Sequence, residues 1–354
     1  MKKYMVVSLA LMFLVFFLPW LTAPSSGASL LPSDRSDPPI AAPNSENIPP
    51  STDFSPAPEI LPTGELDASV LITVLMGQEV VSMDLGSYLV GVVRAEMPAS
   101  FSLEALKAQA VAARTYTLHK ILCGGNANHP HADTCTDINC CKAYMDSPTA
   151  AAMWGDRSAE YEEKILRAVS DTDGECVLYD GVPVLAVFHS SSAGMTLNAQ
   201  DVWSSSVPYL ISVTSPENSE TVPNFHSQVS FPVATLRALL QNALPAASLS
   251  GSSYNWFSGI RQLPNGTITS LQVGGVTLSG NAFRTLLGLR SACFTISFQD
   301  DTVVFSVTGY GHGVGMSQYG ANVLAESGLT YREILAWYYT DTYVEQYTSP
   351  SLSA

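Results

Sequence analysis

Glu96, a set of histidines and serines, and a short run rich in cysteine and histidine are the residues of this chain best equipped for chemistry. Glu96 stands in Arg94-Ala95-Glu96-Met97-Pro98. A carboxylic acid that donates a proton near neutral pH needs a raised pKa, and apolar neighbours such as Met97 and Pro98 disfavour its charged form. On residue type alone an ordinary surface glutamate is the commoner reading, because strongly perturbed groups are a minority.

The second set is His189-Ser190-Ser191-Ser192 with His312 and Ser317-Gln318-Tyr319. Histidine and serine raise nucleophilic hydrolysis, but a triad is recognised by geometry and no Gly-x-Ser-x-Gly elbow is present. These groups suit orienting a sugar or holding Glu96, and His189 and His312 are as well suited to structural hydrogen bonds. The glycine-rich run 309–315 reads as a tight turn, since the Gly-Lys-Ser/Thr of a phosphate loop is missing.

The third set is His129, His131, Cys135, Cys140 and Cys141. The spacing suits a closed tetrahedral zinc site that pins an irregular insertion and leaves no open position for catalysis. Disulfides are the alternative, with Cys123, Cys176 and Cys293 as further partners.

The elements that must position these groups form an α+β pattern, a helical core packed on antiparallel hairpins. Residues 69–76 alternate apolar and polar side chains as a strand, and Gly77-Gln78 turns into a second. Asp84 offers an N-cap to a helix that Pro98 ends, so Glu96 falls at a helix exit. Ser102 can cap a second, alanine-rich helix over 103–116, for which an exposed surface helix is the alternative. Asp180-Gly181 joins strands 176–179 and 182–188, and the latter delivers His189. Pro264-Asn265-Gly266 and Asp300-Asp301 mark further turns, and Thr330 with Glu333 is a capping box.

Residues 1–23 begin Met1-Lys2-Lys3 and continue almost wholly apolar, which predicts a single-pass membrane anchor with the remainder extracytoplasmic, a cleaved signal peptide being the alternative. Residues 24–64 are a Pro/Ser-rich tether, 65–347 a catalytic domain with its Cys/His insertion at 121–146, and 348–354 a tail. The formal charge is −15, from 31 acidic and 16 basic residues, with no basic cluster beyond the first three positions. Nucleic acid is thereby disfavoured as a partner.

The string Tyr88 to Phe101, continuing Glu104 to Tyr116, resembles the stage II sporulation protein D family. So do Phe188 to Gly194 with Asp201-Val202-Trp203 and Pro208-Tyr209-Leu210, Phe283-Arg284 with Leu287 to Ser291, and Gly311 to Ala321. The resemblance implies a lytic transglycosylase that cuts peptidoglycan between N-acetylmuramic acid and N-acetylglucosamine during forespore engulfment. Its implied partners are peptide-stripped glycan strands, a cell-wall amidase and a membrane protein of an engulfment complex. Glu96 takes the place of the family's catalytic acid. His189, Ser190, Ser191, His312, Ser317, Gln318, Tyr319 and, in the matching helix, Arg114 are assigned to the substrate. The metal set becomes His129, Cys135, Cys140 and Cys141, with Cys140 standing where a histidine is expected and His131 able to replace His129. A glycan hydrolase would usually require a second carboxylate, for which Asp201 is the best candidate. Two rival readings are a non-catalytic, glycan-binding activator of an amidase and a zinc-dependent hydrolase.

Overall fold

A computed structural model describes residues 63–203 and 205–347. The anchor assigned to 1–23, the tail at 348–354 and all but the end of the tether lie outside the described residues. The expected single-pass membrane location is corrected by the structure: among the described residues no helix is long and apolar enough to cross a membrane.

A short helix, α1 (Glu65–Ser69), precedes the hairpin β1 (Leu71–Met76) and β2 (Glu79–Asp84). The first strand therefore begins later than its alternation predicted. The Asp173 carboxylate accepts the N–H groups of Leu66 and Asp67 at 2.9 and 2.8 Å, which satisfies free donors at a helix start and holds this turn helical. Asp84 caps α2 (Leu85–Glu96) by accepting the Ser87 N–H at 2.8 Å. Met97 is extended, as a residue before proline must be, and α2 stops there.

The next helix, α3 (Leu103–Leu122), is longer than predicted, and Ser102 makes no side-chain cap. Every residue from Ala108 to Thr115 is buried, so the helix is covered on all faces and the surface-helix alternative falls. Its alanines let neighbours approach closely. Inside this packing Arg114, with no exposed surface, donates to both oxygens of the buried Asp67 and to the Glu175 carbonyl.

Strand β3 (Thr134–Cys135) runs parallel to β1 and ties the insertion to the first hairpin. Helices α4 (Ser147–Trp154) and α5 (Ser158–Ser170) follow, then β4 (Glu175–Tyr179) and β5 (Val182–Pro183). Asp180 and Gly181 both adopt positive φ, 51° and 77°, as a two-residue hairpin turn requires. The predicted strand 182–188 breaks after Pro183. Val184 still donates to the Val177 carbonyl of β4, but the N–H groups of Ala186 and Val187 bond carbonyls only two residues back, which curls the chain away from the ladder. It resumes as β6 (Phe188–His189).

After α6 (Ala199–Trp203), the segment from β7 (His226–Pro232) to β12 builds its own core. It contains α7 (Val233–Ala243), β8 (Phe257–Gln262), β9 (Ile268–Val273), β10 (Val276–Ser279), α8 (Gly280–Leu287), β11 (Phe294–Gln299) and β12 (Thr302–Thr308). Two antiparallel sheets, β10-β9-β8 and β11-β12-β7, enclose Trp256, Phe283, Phe294 and Phe305. The chain then returns through β13 (Met316–Ser317), parallel to β6, into α9 (Gln318–Glu326), α10 (Tyr331–Tyr338) and β14 (Tyr343–Gln346) on β4. The Thr330–Glu333 capping box forms in full. Grouped helices and mostly antiparallel strands make the fold α+β, as the sequence predicted.

Replacing Asp67 with alanine would strand the Arg114 guanidinium without its counter-charge. We expect a loss of about 3–5 kcal/mol in urea unfolding, much of it recovered in Asp67→Leu/Arg114→Met. Equal losses in the single and double variants would contradict this account.

Candidate active site

Glu96 is the last residue of α2, and the corner that follows is held from several directions. Its backbone carbonyl, left free at the helix end, accepts from Gln318 Nε2 at 2.8 Å. Lys164 Nζ donates to the carbonyls of Ala99 and Phe101, and the Ser102 N–H donates to Asn322 Oδ1 at 2.8 Å. Phe101 packs edge-on to Tyr319, ring centres 4.9 Å apart.

The Glu96 carboxyl accepts one hydrogen bond from protein, from the Ala143 N–H at 3.0 Å. Burial raises its pKa above the ordinary carboxylate value, partly opposed by the Lys142 ammonium and by that N–H. The nearby Arg94 does not neutralise it, because its guanidinium is paired with Glu162. Lys142 is buried, with Nζ 3.6 Å from the Phe188 ring centre and 4.1 Å from that of Tyr116. Desolvation brings its pKa down to about 8.

Glu96 lies in the wall shared by two open clefts. One, about 470 Å³, is lined by Arg94, Met145, Trp154, Tyr161 and Tyr319; the other, about 600 Å³, by Tyr116, Lys142, Trp203, Arg284, Tyr310 and His312. Ala95, Glu96, Ser190 and Gln318 line both. No other Asp or Glu lines either cleft among the described residues. Asp201 is bonded to Asn198 at 2.7 Å and lines a different, small cavity, so it offers no second acid here.

The structure sorts the other predicted residues. Ser190, Gln318 and Tyr319 reach the clefts, as do His189 and His312. His189 is buried, donates from Nδ1 to the Val314 carbonyl and accepts at Nε2 from Ser192 Oγ at 2.6 Å. Burial depresses its pKa to about 4, so it is neutral at pH 7. His312 is likewise held neutral by desolvation, and its Nδ1 accepts the Val314 N–H at 3.1 Å. Ser191 turns to a small separate cavity, and its backbone pairs with Tyr310. Ser317 is fully buried: it caps α9 and donates to Glu217. Arg114 is committed to Asp67 inside the core, so its expected contact with substrate is corrected to a structural role.

Sequence reasoning missed Glu217 and Lys142. Glu217 is 2% exposed and accepts from the Ser192 N–H and from the hydroxyls of Ser215 and Ser317, tying three loops behind the groove. No local motif announces it. For Lys142 a signal existed: it is the one Lys or Arg between Lys120 and Arg157.

His129, Cys135, Cys140 and Cys141 bring one donor atom each to within 4.8 Å of one another. All six cysteines are free, so the disulfide alternative is not realised. His129 Nδ1 donates to the Ala132 carbonyl at 2.9 Å, which turns Nε2 toward Cys141 Sγ at 3.1 Å. An imidazole oriented this way, with thiols converging on it, fits a metal ion. His131 is exposed and stands outside the cluster.

The fold and the site thus define an α+β protein with one half-buried carboxyl group in an open groove, beside a Cys/His cluster able to hold a metal. The family model described as "SpoIID: Stage II sporulation protein" matches residues 76–179. Stage II sporulation protein D of Bacillus subtilis (strain 168) is 35% identical over 269 residues, 76% of this chain and 76% of that protein. Its counterpart from Bacillus amyloliquefaciens is 34% identical over 276 residues, 78% of each. An amidase enhancer of Bacillus subtilis (strain 168) is 32% identical over 305 residues, 73% of this chain and 40% of that protein. The chain belongs to the stage II sporulation protein D family.

Since the Lys142 charge pulls the Glu96 pKa down against burial, Lys142→Met should raise that pKa further. Carbon-13 NMR titration of labelled glutamate carboxyls reads this directly; an unchanged or lower value would show that the two groups are not coupled.

Proposed function

We propose that this sporulation protein is a lytic transglycosylase, cutting peptidoglycan glycan between N-acetylmuramic acid and N-acetylglucosamine. The observation that carries this reading is that Glu96, held with a raised pKa, is the one carboxyl lining the groove among the described residues. A single carboxyl suffices when the nucleophile belongs to the substrate. Glu96 protonates the glycosidic oxygen as the bond to the muramyl C1 breaks. The resulting carboxylate, steadied by the Ala143 N–H and Lys142, takes the proton from the muramyl 6-hydroxyl as that oxygen closes on C1. The product is a 1,6-anhydro end, with no water consumed. We place the step in forespore engulfment, on glycan first stripped of peptide by an amidase.

For the Cys/His cluster we propose zinc, which three thiolates and an imidazole suit. Bound there it would supply a closed structural constraint. The chain around it does the rest, because Cys141 leads directly into Lys142 and Ala143, whose charge and N–H act on the Glu96 carboxyl. The relative named an amidase enhancer favours a second reading, a glycan-binding module that stimulates an amidase without cutting.

Incubating the protein with peptide-free glycan strands and analysing products by mass separates these readings. Wild type should release anhydro-ended fragments, and Glu96→Gln should be slower by about 10² to 10⁴-fold. Reducing ends would mean hydrolysis, and no cleavage by wild type would favour the enhancer. The rate should hold to higher pH than an ordinary carboxylic acid allows, because the raised pKa keeps Glu96 protonated there. It should then fall about tenfold per pH unit above that pKa; a rate rising with pH across this range would remove Glu96 as the acid.

Elemental analysis should find about one zinc per chain, and Cys141→Ser should lose it together with thermal stability and activity. A zinc-dependent hydrolase would instead lose activity on chelation at unchanged melting temperature.

A further inference from the structure

The two halves of the groove differ in charge. In the cleft lined by Trp154 and Tyr161 the cation is Arg94, already paired with Glu162. The other cleft holds Arg284, from α8, and Lys142, from the insertion, and neither is paired with a carboxylate among the described residues. Arg284 is half-buried and spends one Nη1 hydrogen on the Arg290 carbonyl, and the rest of its donor fork has no protein acceptor among the described residues. Lys142 rests on two aromatic rings and makes no hydrogen bond to protein among the described residues. Both cations line this one cleft together with His312.

A cation withdrawn from water without a partner is costly, and an arriving anion would relieve that cost. The chain as a whole carries −15, so its general field repels anions and attraction in this cleft must come from these local groups. Lys142 also has the Glu96 carboxyl and the Cys141 thiol beside it, whereas no carboxylate acts on Arg284 among the described residues, so Arg284 is the stronger claimant. Trp203 and Tyr310 add aromatic surface to the lining, suited to packing against a sugar ring.

We propose that this half of the groove is a subsite for a carboxylate-bearing sugar, with Arg284 binding the carboxylate and Lys142 adding to the attraction, while the Trp154–Tyr161 half receives an uncharged sugar. The inference rests on the reading of the groove as a glycan site and deepens it. In a strand where carboxylated muramyl residues alternate with uncharged glucosamine, the charge difference sets register and direction across Glu96. It brings the bond between the two sugar types, in one orientation, to the acid. A muramyl carboxyl tied up in an amide bond presents no anion, so the same subsite discriminates against glycan that still carries peptide.

The test uses full-length protein carrying Glu96→Gln, and two probes: a peptide-free muramyl-glucosamine oligomer with free carboxylates, and the same oligomer with its carboxyls converted to methylamides. Calorimetry at low salt should give about tenfold or greater preference for the acid form, shrinking as salt rises. Adding Arg284→Gln should abolish most of that preference, and Arg284→Lys should restore part of it. Lys142→Met should weaken it independently, which preserves the test if Arg284→Gln does not fold, as judged by its melting curve. Equal binding of acid and methylamide, or undiminished preference in a folded Arg284→Gln, overturns the subsite. Cleavage of both probes to anhydro ends by protein with Glu96 intact would then leave the proposed reaction standing. Absence of both binding and cleavage removes the two readings together.

Discussion

The site depends on the burial of α3. A helix covered on every face can be approached closely by its neighbours only if its side chains are small, and the alanines from 105 to 113 meet that condition. Around it pack α2, which ends in Glu96, and α9, which begins with Gln318. Gln318 then bridges the two, donating to the Glu96 carbonyl and to Gln109 of α3 itself. The Arg114–Asp67 pair at the other side of α3 extends this arrangement to α1. The position of the Glu96 carboxyl is therefore a consequence of core packing, with the corner at Pro98 merely letting the chain leave.

The insertion supplies what the helices cannot. It is joined to the hairpin through β3, and it returns to α2 at Tyr144, whose ring occupies the space beside Gly91. A Cβ at Gly91 would come within 2.1 Å of that ring, so the glycine is what allows the insertion to lie against the helix. Between those two anchors run Cys141, Lys142 and Ala143. The metal-capable cluster, the ammonium and the N–H facing Glu96 are thus consecutive residues, and whatever fixes the first fixes the others. Burial and the Lys142 charge push the Glu96 pKa in opposite directions, and burial is the larger influence.

Behind the groove and in its wall, polar groups that resemble catalytic ones serve architecture. Glu217 gathers an N–H and two hydroxyls from separate loops, and His189 is locked between Val314 and Ser192. Buried donors and acceptors must be satisfied, and a carboxylate accepting several hydrogen bonds is an efficient way to join loops with no regular structure between them. Of the histidines and serines that suggested nucleophilic chemistry, His189, Ser192 and Ser317 are in this way accounted for by hydrogen bonding.

Much of the local structure was legible in the sequence because its causes are local. Asp84, Pro98, Asp180-Gly181 and the Thr330–Glu333 box act through their own neighbours, and each marks a boundary found in the fold. The spacing of His129, His131, Cys135, Cys140 and Cys141 likewise marked the cluster, and the family resemblance implied the four whose donors meet, with His129 rather than His131. The sequence did not reveal that strand 182–188 would break, nor that Arg114 and Ser317 would be consumed by Asp67 and Glu217, partners 47 and 100 positions away. Nor did it indicate Lys142 beside Glu96 or Arg284 in the same cleft. Capping and turn formation depend on a few adjacent residues, whereas burial, pairing and the electrostatics of a groove depend on which distant segments the core brings together, and only the tertiary structure decides that.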